Sequence, residues 1–167
     1  MEALKKYHQH LVNWNVLIVF KKARQTSKDI QVWYTINLPL FNLICYMEHY
    51  PNSKGIVGRT LNYLIYINNE PIGIIGGASP PLNYKLFRKY FDTDNDKKFL
   101  NNNVFRIVNN KNKKNLGTQI LKLYRQTIKK DYEKKYQDTL LGIITFVEPP
   151  RTGAIYKADN WDNLGLT

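Results

Sequence analysis

Two apolar runs, Leu61–Ile67 (LNYLIYI) and Pro71–Ala78 (PIGIIGGA), flank the short polar stretch Asn68-Asn69-Glu70. Runs of this length, rich in β-branched and aromatic residues, predict strands. Asparagine tolerates positive φ, so the Asn pair predicts a hairpin turn between them. Gly73, Gly76 and Gly77 weaken an ordinary strand and mark a bulge, a close ligand approach or packing against a neighbouring helix. Asn103–Val108 (NVFRIV) predicts the next strand. The period then changes. Leu116, Ile120, Leu121, Leu123, Tyr124, Ile128 and Tyr132 recur at helical spacing and predict an amphipathic helix running to about Tyr136. Lys129, Lys130, Lys134 and Lys135 crowd its last turns, where the helix dipole favours cations. The apolar run Leu140–Val147 predicts a buried strand, which Glu148-Pro149-Pro150 ends. Ala154–Ala158 has helical composition, and Asp159-Asn160-Trp161 turns the chain.

Upstream the pattern is less decided. Leu11–Phe20 suits a strand or a helix, Ile30–Ile36 a strand or a buried helix end, and Pro39 opens a short helix that stops before Pro51. Leu82–Phe91 interleaves aromatics with cations. Leu82, Leu86 and Tyr90 fall at helical spacing and predict a buried face, the alternative being a surface that stacks on bases. Asp92–Asp96 lacks the glycine and glutamate of a calcium loop, which excludes that site. No internal repeat is present.

At 167 residues, with 43% hydrophobic and 13% aromatic content, the chain predicts one globular domain. Residues 1–46 are the least assignable part of it. Lys and Arg number 25 against 13 Asp and Glu, a net charge of +12 that favours polyanions, DNA before membrane surfaces. The single cysteine, Cys45, excludes an internal disulfide and reads as a packed thiol. Met1–Lys6 leads into no signal-peptide core and no run reaches the ~20 apolar residues of a membrane span, so a cytoplasmic protein is expected.

Candidate chemistry gathers at three places. Glu148 lies at a strand tip and Tyr156 on the short helix after it, a strand-end arrangement that suits an open α/β sheet. Tyr156 is also one of 12 tyrosines and reads equally as a packing residue. His49-Tyr50 stands at an element boundary before a polar loop, where His49 is a functional group or a hydrogen-bonded structural histidine. Asn115-Leu116-Gly117-Thr118 opens the long helix behind the basic Lys111, Lys113 and Lys114. Free backbone N–H groups and a glycine there suit an anion, although the Gly-Lys-Ser/Thr core of a P-loop is missing.

The order strand, turn, glycine-rich strand, strand, basic loop, helix, strand, tyrosine helix resembles the GNAT acyltransferase fold. KNKKNLGTQIL stands where such proteins carry a pyrophosphate loop and helix, and GAIYKADNWDNLG resembles their closing tyrosine segment. Within that superfamily, HYPNSKGIVGRTLNYLI, NLGTQIL and TFVEPPRTGAIYKADNWDNLGLT resemble stretches of the phage Mom DNA-modification proteins and of the Druantia anti-phage protein DruA, over Met47–Thr167.

The resemblance implies an α/β (α+β) fold with a central twisted mixed sheet flanked by helices, and an acyl-CoA-dependent modification of adenine in DNA in a phage or defence setting. Other readings are an ordinary N-acetyltransferase and a non-catalytic DNA-binding defence component. It also implies Tyr156 as acid toward the leaving thiolate and Glu148 as general base, with His49 and Tyr50 as further catalytic positions. Arg106, Asn115, Leu116, Gly117 and Thr118 would hold acetyl-CoA or another acyl-CoA, and His49 with Glu148 would hold iron. Trp161 either stacks on a base or closes the sheet edge.

Overall fold

The computed structural model describes residues 20–22, 29–35, 41, 58–81, 85–108 and 113–165. Cys45, His49, Tyr50 and Lys111 lie outside them. Six strands form one sheet in sequence order: β1 (Phe20–Lys22), β2 (Ile30–Thr35), β3 (Thr60–Ile67), β4 (Glu70–Ala78), β5 (Phe99–Ile107) and β6 (Gly142–Ile144). Among the described residues three helices of defined bounds accompany them: α1 (Lys85–Phe91), α2 (Leu116–Tyr136) and α3 (Ala154–Ala158). β1 to β5 pair antiparallel, and β6 joins β5 in parallel after the α2 crossover. A mixed sheet flanked by helices is the architecture expected from the sequence.

The β3–β4 hairpin turns on Asn68 (φ 49°) and Asn69 (φ 64°), both left-handed. That pair matches the right-handed twist of the flanking strands. Glu70 belongs to β4 rather than to the turn. β3 is buried on both faces: Leu61, Tyr63, Ile65 and Ile67 point toward α2, while Leu64 is buried on the opposite side. α2 lays Leu116, Ile120, Leu121, Leu123, Tyr124, Ile128 and Tyr132 onto the first of these faces. Each such side chain contributes roughly 1.5–3 kcal/mol on burial, so this contact is the main core.

The far end of α2 is tied down by polar groups. The Arg59 guanidinium donates to Lys97 O (3.1 Å), Tyr132 Oη (2.7 Å) and Asp138 Oδ2 (2.8 Å), and lies over the Tyr132 and Tyr136 rings. The Thr60 amide donates to Tyr136 Oη at 2.7 Å. The start of β3 is thereby locked to the end of α2.

Two further expectations change. Only Gly142–Ile144 of the Leu140–Val147 run is strand. The register with β5 ends at Asn101↔Ile144, after which the Thr145 hydroxyl donates to Asn102 O at 3.1 Å in place of a ladder bond. Phe146 and Val147 are consequently 36% and 39% exposed. Tyr90 is 54% exposed with its hydroxyl on Asp162, so it does not belong to a buried face; Leu82 and the Leu86 side chain lie outside what the structure describes, and among the described rings of α1 Phe91 packs against Phe99.

Of the glycines in β4, Gly73 has the clearest steric cause. A Cβ there would sit 2.2 Å from Arg106 O on β5, a backbone atom that cannot step aside. At Gly117 the nearest atom is Ile155 Cγ2, a mobile methyl group 3.3 Å away. Gly73→Ala is therefore expected to cost about 2 kcal/mol or more in denaturant unfolding, and Gly117→Ala well under half of that. Equal effects would contradict this reading of the sheet.

Candidate functional site

β5 and β6 run together for three pairs and then part. β6 ends at Ile144 while β5 continues to Ile107, so a fork opens at Asn102 and Thr145. Tyr156 of α3 reaches the base of this fork, its hydroxyl donating to Asn102 Oδ1 at 2.9 Å. Burial raises the Tyr156 phenol above its usual range, while the Thr145 hydroxyl and the Arg151 charge act the other way. A tyrosine held so is neutral at pH 7, the state a proton donor needs.

α3 is too short to hold itself, at five residues. It begins at Gly153, in the left-handed region at φ 70°, and is anchored at its other end by Asp159, which is 5% exposed. Arg125 of α2 grips that carboxylate with two bonds, Nε to Oδ2 at 2.7 Å and Nη2 to Oδ1 at 2.8 Å. The Trp161 indole N–H donates to the same Oδ2 at 2.9 Å, and its ring meets Tyr156 edge-on at 5.0 Å. The chain is thus folded back on itself around one acid, and the tyrosine is fixed between Trp161 and Asn102.

Tyr156 lines a groove of about 900 Å³ together with Glu148, Phe146, Val147, Lys129 and Lys157. Glu148 is exposed at its wall. The structure therefore brings together Tyr156, Glu148 and Trp161 of the residues singled out from sequence. The half-buried Trp161 packs against the main core, as a closing wall does.

The residues assigned to an acyl carrier lie apart from this groove. Asn115 is left-handed (φ 56°) and its side chain makes no cap bond, so α2 starts with uncapped backbone N–H groups. Leu116 is buried in the core, and Gly117 sits beneath Ile155, the neighbour of Tyr156. The start of α2 and the tyrosine helix are therefore in contact. Arg106 is exposed on β5, opposite Ile74. Lys113 is ion-paired with Asp29. None of Arg106, Asn115, Leu116, Gly117 and Thr118 is among the described residues that line the groove.

His49 and Tyr50 lie outside the described residues. Among the described residues no cluster of three or more His, Cys, Asp or Glu side chains is present, and no helix is long and apolar enough to cross a membrane.

Residues 2–167 match the model of the family described as Druantia protein DruA. The chain belongs to the DruA family. No curated protein matches it. Membership of the DruA family carries an anti-phage defence context, and the match takes in residues 2–46 as well, where the sequence alone offered no resemblance.

Two residues central to this DruA-family site escaped sequence reasoning. Arg125 lies on the polar side of α2 and Asn102 in a run of three asparagines. Only tertiary structure gives either a partner. Arg125→Ala leaves Asp159 buried without its cation and is expected to cost about 2 kcal/mol, with a red-shifted Trp161 emission isolated by comparison with Trp161→Phe. An unchanged midpoint and emission would show that α3 is held by something else.

Proposed function

We propose that this DruA-family chain transfers an acyl group from an acyl-CoA to adenine in DNA as part of anti-phage defence, with the β5–β6 fork as its reaction centre. The observation that carries the reading is the neutral, positioned Tyr156 at the base of the fork, on a helix that touches the uncapped start of α2.

An acyl thioester brings an activated carbonyl and a good leaving group. The donor set fits its diphosphate: the backbone N–H groups at Leu116, Gly117 and Thr118 carry no side-chain cap, and Asn115 turns the chain into them in the left-handed region. As the new C–N bond forms and the C–S bond breaks, Tyr156 supplies the proton that the departing sulfur takes up. Glu148, exposed in the groove wall, accepts the proton lost by the attacking amine. The net charge of +12 and the groove cations Lys129 and Lys157 support a polyanionic acceptor, gripped with a strong salt dependence. An adenine in duplex DNA has to leave the stack to reach the fork.

Iron is not part of this reading. The resemblance suggests His49 and Glu148 as ligands, and a non-haem iron site takes two histidines and a carboxylate. No step is assigned to it.

One specific observation favours a second reading, a binding component without chemistry. The Tyr156 proton is already directed at Asn102, and Leu141, Phe146 and Val147 form an exposed apolar wall suited to contact with a partner. Mass spectrometry of nucleosides from DNA of cells expressing the protein separates the two. Acyl transfer predicts a modified deoxyadenosine that Tyr156→Phe reduces about 100-fold in rate with little change in acyl-CoA affinity. An unmodified pool from a folded protein that still binds DNA would favour the binding component.

A further inference from the structure

Asn102 sits on β5 one residue past the last pair with β6 and is 4% exposed. Its side-chain nitrogen donates to Gly76 O at 2.7 Å and Val104 O at 3.1 Å. A carboxamide has two N–H donors, and both are used here. Turning the amide over would break both bonds and set its oxygen against two carbonyl oxygens. Its oxygen is therefore fixed as an acceptor facing Tyr156.

The sheet is irregular where these bonds form. The register between β4 and β5 steps from Gly76↔Val104 to Ala78↔Asn101, so Asn102 and Asn103 together face Gly77. An extra residue of this kind interrupts the ladder and strands backbone groups. The Asn102 side chain fills the gap it creates. The bulge sits at the fork, so the irregularity that bends β5 also delivers an acceptor to Tyr156.

We infer that Asn102 is the positioning residue of Tyr156: its locked carboxamide keeps the phenol as a neutral donor, with the oxygen lone pairs left for whatever enters the groove. The inference rests on the reading of Tyr156 as a proton donor. The proton leaves Asn102 only for a stronger acceptor, and an anionic leaving atom is stronger than a neutral amide oxygen. The other polar groups around the phenol are the Thr145 hydroxyl at the end of β6, Arg151 before α3 and the fully buried Tyr124 phenol of α2. Beyond them lies the Arg125–Asp159 pair. Burial disfavours the phenolate while Thr145 and Arg151 favour it, and the bond donated to Asn102 acts on the side of the protonated phenol.

The test is a pH titration of the full chain with tyrosines labelled at Cζ, followed by NMR. A bond donated to an acceptor stabilises the protonated phenol, so its removal lowers the pKa and an anionic acceptor raises it. Asn102→Ala is expected to lower the Tyr156 titration by about one pH unit and Asn102→Asp to raise it by about one unit or more, with Tyr90, bonded to Asp162 instead, unmoved. The same Tyr156 titration in both variants would overturn the inference. Should neither variant fold, the wild-type protein decides: a slowly exchanging hydroxyl resonance, lost in Tyr156→Phe, is expected, and its absence overturns the inference. These readouts need no acyl donor. The expected titration shifts in a chain that transfers no acyl group overturn the functional reading alone, and an insensitive titration in an active chain overturns the role of Asn102 alone.

Discussion

One buried carboxylate holds together the end of the molecule that carries the candidate site. Asp159 is reached by two guanidinium bonds from Arg125 and by the indole of Trp161, so a five-residue helix with no buried residue of its own acquires a fixed position. An isolated carboxylate in that place would be strongly unfavourable, and pairing it makes removal of the partner costly rather than neutral. Everything proposed for Tyr156 depends on this clamp, because the same fold-back places its ring against Trp161 and its hydroxyl at Asn102.

The fork on the other side of Tyr156 is a consequence of how the sheet ends. β3 and β4 are held on both faces by burial, and β5 is held along one edge by β4. β6 has only three residues of pairing and then leaves. The bulge opposite Gly77 and the loss of β6 occur at neighbouring residues of β5, so strand irregularity is concentrated where the phenol arrives. Backbone polar groups freed by such irregularity are costly when buried, and Asn102 and Thr145 satisfy some of them with side chains.

Much of the frame was legible in the sequence because its signals are local. The Asn68-Asn69 turn, the two strands it joins and α2 all follow from side-chain period and positive-φ tolerance within a few residues. The Leu140–Val147 run was read too long because hydrophobicity reports apolar character, while strand length depends on a partner that β5 stops offering at Asn101. Tyr90 was placed in a buried face for the same reason: helical spacing does not say which side faces the core. Tyr156 and Glu148 were legible as candidates from their place at a strand end. Arg125 and Asn102 were not, since each acts through a residue more than 30 positions away or through the backbone of another strand. The start of α2 was singled out from Gly117 and the preceding lysines, but its contact with α3 through Ile155 has no local signal.

The central claim is that the fork and the start of α2 form one acyl-carrier site. Amide NMR of the isotope-labelled chain during addition of acetyl-CoA addresses this directly. Saturable shifts are predicted at the amides of Leu116, Gly117 and Thr118 and along β5 beyond its pairing with β6, from Asn102 to Arg106, with Tyr156 perturbed in the same titration. Shifts confined to other surfaces, or none at millimolar acetyl-CoA, would contradict the account.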